Sequence, residues 1–164
     1  MRLRRSVIAA AAAAAALTAS AAPAIAATPP WWGLYVAINK ARVARGLYPM
    51  GLSRGLRSAA KGHSADMLRR GYFAHTSPTG STFTYRIRAA GFVTVGQWWA
   101  GETLAWGSGV VGDPRSVVQM WLKSPEHRSI LLSPLYHLLG VGRASGTFLG
   151  HPGATVWTVD WGHR

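Results

Sequence analysis

Apolar positions along the chain recur at two spacings, one helical and one strand-like. A first helix is predicted from Trp31 to Arg45, stopping at Gly46. Ser53 is placed to cap a second helix that ends before Gly71. On that helix Leu56, Ala60, His63 and Met67 share one inward face. Ser77-Pro78-Thr79-Gly80 reads as a turn, followed by a short helix carrying Phe83 and Ile87. Asp113-Pro114 is a cap followed by proline at the first helical position. The helix it opens should end near Ser124, where Ser124-Pro125-Glu126 repeats the same signal. Gln97 to Trp106, His137 to Ala144 and Ala154 to Trp161 alternate in steps of two, as strands do. Helices interleaved with an antiparallel sheet make the chain α+β, a layered sandwich.

The first residues read as an address. Arg2, Arg4 and Arg5 precede an apolar run from Val7 to Ala22, and Ala24-Ile25-Ala26 is a small-residue cleavage signal. The run is 16 residues long, short of the roughly 20 that span a bilayer. Residues 1–26 are therefore expected to be a cleavable signal peptide, with an uncleaved anchor as the alternative. Arg4-Arg5 also resembles a twin-arginine export signal. An exported, secreted protein follows, with 138 residues left from 27 to 164, the size of one domain.

Export usually goes with disulfides, yet there is no cysteine. Burial must hold the domain together, and a thiol nucleophile or thiolate metal site is excluded. The chain has 18 basic and five acidic residues, a formal net +13, which falls to +10 without the three leader arginines. That charge favours anionic surfaces as partners. The basic residues are dispersed, however, and form no stripe interleaved with aromatics, so nucleic acid is not expected.

Two of the five acids and two of the six histidines fall in three short stretches: residues 71–75, 101–103 and 124–128. Glu102 alternates on one side with Trp98, Ala100, Leu104 and Trp106. A carboxylate on an apolar strand face needs a partner, because a buried unpaired charge is prohibitive. His75 and His127 are the natural candidates. Two imidazoles and a carboxylate are also the ligand set of an open zinc site, although no spacing motif supports the metal directly. His63 lies on the inward helical face as a core histidine or a ligand. Asp160 points away from Trp157, Val159 and Trp161, toward the cavity or into an ion pair with an arginine. Glu126 reads as a helix-start acid. His137, His151 and His163, near strand ends or loops, read as surface residues.

From Asn39 to Gly162 the chain resembles the bacterial branch of the CAP superfamily: the cysteine-rich secretory, antigen 5 and pathogenesis-related-1 proteins. The resemblance runs through Asn39, Arg42 and Gly46-Leu47-Tyr48-Pro49, then residues 60–67 and 71–80. Arg86-Ile87, Gly91-Phe92, Gly101-Glu102, Trp121, Ser124-Pro125-Glu126-His127-Arg128 and Trp157-Thr158-Val159-Asp160-Trp161-Gly162 complete it. It implies a three-layer α-β-α sandwich with a central antiparallel sheet. The domain would cover 36–164, after a short segment at 27–35 that starts the first helix. It also implies a cavity joining His75, Glu102 and His127, with Asp160 and His63 nearby, and Zn²⁺ as a possible occupant. Thr103 and Ser129 stand near places where the family usually has asparagine.

The expected function is binding of a lipid, a cell-wall component or an extracellular protein at that cavity. The alternative is a metal-assisted hydrolase, peptidase-like, in which the same residues activate water. Neither a Gly-x-Ser-x-Gly elbow nor a His-Glu-x-x-His helix is present, so catalysis stays open.

Overall fold

The computed structural model describes residues 27–92 and 98–163. The expected signal peptide and Gln97 lie outside them. Helix α1 spans Trp32–Val43, and the chain then turns through Gly46, at a φ of 73° that favours glycine. A two-residue strand β1, Gly51–Leu52, leads into α2, Arg54–Arg70. Ser53 caps α2 as expected, its Oγ accepting from the Leu56 N–H, and left-handed Gly71 ends it. Short α3 (Phe83–Ala89) precedes strand β2, Trp99–Ser108. A 3₁₀ turn at Gly109–Gly112 leads to α4 (Pro114–Lys123), opened by Asp113 accepting from the Arg115 N–H. Then come α5 (Pro125–Leu131), β3 (Leu138–Phe148) and β4 (His151–His163).

The sheet order is β1-β3-β4-β2. β2, β4 and β3 pair antiparallel over nearly their full length. β1 departs from the all-antiparallel expectation, adding two residues parallel to β3. β3 and β4 run longer than the alternation suggested, because they form one hairpin closed at Phe148↔His151.

Helices cover both faces, giving the α-β-α sandwich. On one face Trp157, Val159, Trp161, Leu139 and Val141 pack with Leu34, Ile38, Val117, Trp121 and Leu131 from α1, α4 and α5. On the other, Leu104, Ala154, Val156 and Phe148 meet Met67 of α2, and Leu56 meets Ile87 and Phe92. Leu56, Ala60, His63 and Met67 are all buried, as their helical spacing required. Gly140 and Gly142 on β3 let α2 lie directly on the sheet, since a Cβ at either would run into the α2 backbone at Leu56–Arg57 or Ala60–Lys61.

Several residues of the sequence resemblance prove to be joints. Asn39 holds Met50 in both directions, its Oδ1 accepting from the Met50 N–H at 2.7 Å and its Nδ2 donating to the carbonyl at 3.2 Å. Buried Arg42 donates to the carbonyls of Tyr48, Leu131 and Ser133, tying α1 to the end of α5.

Candidate functional site

Strand β2 is one of the two edge strands, and Glu102 stands on it opposite Asp160 of β4. Both point toward the α2 side of the sheet. Leu104, two residues on from Glu102, packs with Met67, and Thr158, two before Asp160, accepts from Ser64 Oγ of α2 at 2.9 Å. Glu102 is fully buried at the side chain, and each oxygen has a cation or imidazole. Oε1 lies 2.8 Å from His75 Nδ1, and Oε2 accepts from Arg86 Nη2 at 2.7 Å. Of the two expected partners the structure sets His75 against Glu102, and Arg86 of α3 is the second group on it.

Arg86 was legible only as one matched residue of the resemblance and not as part of the site. It ties three elements together: besides Glu102, its Nη2 donates to the His75 carbonyl at 2.9 Å and its Nη1 to the Ser81 carbonyl at 2.7 Å. His63 works from the other side of the same loop. Its ring Nε2 is 2.9 Å from the Ala74 carbonyl, and its Nδ1 is 3.4 Å from the Tyr72 hydroxyl. Burial lowers its pKa, so the ring stays neutral and Nε2–H donates to that carbonyl. His63 therefore anchors the loop that carries His75, as a satisfied core histidine. The Tyr72 hydroxyl in turn donates to Asp66 at 2.8 Å, and Arg69 and Arg70 close on the same carboxylate.

His75 itself is 54% exposed at the side chain. With Nδ1 turned to Glu102, its Nε2 is left for solvent or a ligand. His127 comes from α5. There Ser124, expected as a helix cap, makes no cap bond and instead sets its Oγ 2.8 Å from His127 Nδ1. The His127 ring lies nearly parallel to Trp121, with centres 6.3 Å apart and planes 13° from coincidence. Its pKa is lowered, first by burial and then by the charge of His75, which puts the two rings within electrostatic reach. Glu102 does not contact His127 directly. The site is an open one at the β2 edge, with His75 above the strand on the α3 side and His127 on the α5 side.

Of its two sequence readings, Asp160 lies on the Glu102 side of the sheet and is not hydrogen-bonded to an arginine. It is fully buried, and neither oxygen has a hydrogen-bond partner of good geometry, so no arginine pairs with it. Burial, followed by the neighbouring Glu102 charge, raises its carboxyl well above the ordinary range. Asp160 lies beside Glu102, and two carboxyl groups so placed cannot both ionise cheaply.

This arrangement bears on zinc. Both Glu102 oxygens are engaged within the protein, and no three His, Cys, Asp or Glu among the described residues are grouped to hold a metal. The donor set does not fit a three-ligand His75–Glu102–His127 centre. Glu102 fits instead as the group that orients His75, the role carboxylates take behind histidines in binding and catalytic sites. Glu126 is exposed at the start of α5, in keeping with a helix-start acid. A groove of about 860 Å³ between α1 and α4, lined by Trp32, Val36, Lys40, Val118 and Leu122, lies apart from these histidines.

Comparison with known proteins gives the context. The chain is 34% identical over 124 residues to the Bacillus subtilis protein YkwD, covering 75% of this chain and 43% of that one. It is 36% identical over 104 residues to the Bacillus subtilis membrane protein YlbC, covering 63% and 28%. The chain thus spans less than half the length of either curated relative. Among solved structures, an extracellular protein containing an SCP domain from Bacillus anthracis superposes with a TM-score of 0.65 at 28% identity, over 82% of this chain and 40% of that one. An outer surface protein of Borrelia burgdorferi shares the fold at a TM-score of 0.66 and 24% identity, over 80% and 90%. Those two neighbours are extracellular or surface proteins by name, and among the described residues here no helix is long and apolar enough to cross a membrane. The cysteine-rich secretory protein family matches residues 35–161 from α1 through β4, and this chain belongs to that CAP family.

Proposed function

We propose that this protein acts outside the cell as a binding module, taking a cell-envelope ligand at the β2 edge between His75 and His127. The observation that carries the reading is the His75–Glu102–Arg86 triad. A buried carboxylate with both oxygens satisfied fixes an imidazole that is itself more than half exposed. A histidine held so firmly and left open on Nε2 is organised for a partner, whereas His63, a core histidine, is buried and spends its Nε2–H on the Ala74 carbonyl. With Nδ1–H donated to Glu102, Nε2 presents a lone pair to a donor. When protonated, the ring presents a cation to a phosphate or carboxylate. The dispersed basic surface adds attraction toward anionic wall polymers or lipid head groups that weakens with salt.

A second reading rests on the same dyad. An imidazole backed by a carboxylate is the arrangement of a general base, and His75 Nε2 could take a proton from water attacking a bound ester or peptide. His127, neutral at pH 7 through its lowered pKa, would stand by as the second proton carrier.

The test compares wild type with a His75→Ala plus His127→Ala protein in sedimentation with purified cell-wall fragments and with vesicles of anionic phospholipid, alongside esterase and peptidase screens. Loss of wall or vesicle binding with an unchanged circular dichroism spectrum is expected. Full binding by the folded double variant would sink the binding reading. Hydrolysis lost in the variant would move the weight to the second reading. An unfolded double variant would make the cluster structural.

A further inference from the structure

A second pair of histidines lies at the C-terminal end of β4, just beyond the residues already described. His137 immediately precedes β3 and His163 closes β4. Both fall near strand ends, as expected of surface residues; His137 is exposed and His163 is half-buried. Their Nδ1 atoms are 2.9 Å apart and their rings are perpendicular, at 86°, with centres 4.6 Å apart.

The backbone holds both residues in place. The His137 N–H donates to the Gly162 carbonyl at 3.1 Å, and its own carbonyl accepts from the Gly51 N–H at 2.9 Å. His163 pairs across the ladder with Trp99 of β2. Strands β1, β4 and β2 therefore fix where the two imidazoles start, and little ordering is left for a ligand to impose.

Two ring nitrogens at 2.9 Å cannot both present lone pairs, so something must sit between or beside them. A proton is one solution. A head-on N–H···N bond of this length would hold the ring centres about 5.2 Å apart, and the observed 4.6 Å means the ring axes are inclined to the N···N line. Inclined axes let two lone pairs converge on one point. For metal–nitrogen bonds of about 2.0–2.1 Å, two imidazoles on adjacent corners of a square or octahedron have nitrogens about 2.9 Å apart and centres about 4.5 Å apart. A tetrahedral ion would need the nitrogens about 3.3 Å apart.

We propose that His137 and His163 form a surface site for a late first-row divalent cation, Cu²⁺ before Zn²⁺, bound through both Nδ1 atoms with water completing the coordination. Right-angled nitrogen pairs suit the tetragonal geometry of Cu²⁺, and imidazole sites favour Cu²⁺ over Zn²⁺ in any case. Binding displaces the shared proton, so it weakens on acidification. The pair is distinct from His75 and Glu102, which lie on the other face of the sheet; it shares its face with α5, so His127 is the control. His163 lies three residues beyond Asp160, about 10 Å along the strand, on the opposite face of the sheet.

The experiment is a Cu²⁺ and Zn²⁺ titration of untagged protein, followed by calorimetry and by electron paramagnetic resonance for copper, with wild type beside His137→Gln, His163→Gln and His127→Gln. The expected result is one Cu²⁺ on wild type with a tetragonal two-nitrogen signal, and weaker Zn²⁺. Either His137→Gln or His163→Gln should lose more than about tenfold in Cu²⁺ affinity and the two-nitrogen signal, while His127→Gln keeps both. Unchanged copper binding in the two variants overturns the site, as does loss in His127→Gln alone or no stoichiometric copper on wild type. Both changes are at solvent-facing positions, and circular dichroism checks each fold. If one variant is disturbed, the other decides.

Discussion

The two faces of the one sheet are built on different principles. Toward α1, α4 and α5 the strands present Trp157, Val159, Trp161, Leu139 and Val141, an apolar wall against the buried Trp121 and Leu34. Toward α2 and α3 they present Thr158, Asp160 and Glu102 among the apolar residues, with Gly140 and Gly142 bringing the helix close. The first face gains stability from area and shape and tolerates changes that conserve volume. The second keeps its groups in fixed positions through hydrogen bonds and one ion pair, and deletion of a single group there leaves another stranded. The His75–Glu102–Arg86 part of the site sits on the second face, where polar groups restrict one another, and His127 approaches from the first.

The largest effect should come from the apolar face. Trp161 is fully buried and its indole N–H donates to Thr103 Oγ1 at 3.1 Å. Trp161→Ala should cost about 3–5 kcal/mol in urea unfolding. Trp161→Phe should recover most of the packing and lose only the hydrogen bond, of about 1 kcal/mol. If the Phe variant were as unstable as the Ala variant, hydrogen bonding and not area would govern this face too, and the contrast would fail.

Next comes Arg86. Arg86→Ala leaves the buried Glu102 carboxylate with His75 alone and Asp160 beside it, a loss of about 3 kcal/mol by the rule for breaking one half of a buried pair. Adding Glu102→Gln removes the stranded charge and should restore more than half of that stability. A double variant no better than Arg86→Ala would show that Arg86 acts through the Ser81 and His75 carbonyls instead.

Asp160 sharpens the contrast through pH. Its folded-state pKa is raised above the ordinary 3.8, so the folded protein binds more protons than the unfolded chain between those two values. Its stabilising contribution is therefore complete below about pH 3.8 and is lost as pH rises toward the folded-state value. Asp160→Asn, which cannot ionise, should match wild type in acid and gain on it progressively as the pH is raised. A constant difference between the two proteins at every pH would mean that Asp160 is ionised when folded.

Helix ends were legible from the sequence because a cap or a glycine is a local signal. Ser53, Gly71, Asp113 and Pro125 each act within one turn of their own position. The face of Glu102 followed from alternation alone, and a partner was demanded by the cost of a buried charge. Which partner was not legible, because His75, Arg86 and Asp160 reach Glu102 from a loop, a helix and a neighbouring strand. Arg86 was one arginine among many and carried no pattern to single it out. The His137–His163 pairing was invisible for the same reason, since it depends on the register of β3 against β4 and not on spacing along the chain.

The smallest effect belongs to the histidine that bridges the two faces. His127 stacks on Trp121 of the apolar wall yet is coupled to His75 of the polar one. Its folded-state pKa is lowered below the ordinary 6.5, so the unfolded chain binds more protons below that pH. The stability of the neutral ring is present above pH 6.5 and is lost as pH falls through the interval down to the folded-state value. Buried His63, lowered chiefly by desolvation, adds a slope of the same sign. Unfolding of wild type should therefore become easier as the pH falls below 6.5, and His127→Gln should flatten part of that slope while the His63 part persists. His75→Gln should shift the midpoint of the His127 part upward, because it removes the charge that opposes protonation of His127. If His75→Gln leaves the slope and midpoint where they were, the two rings do not sense each other and the open site at the β2 edge is two separate histidines.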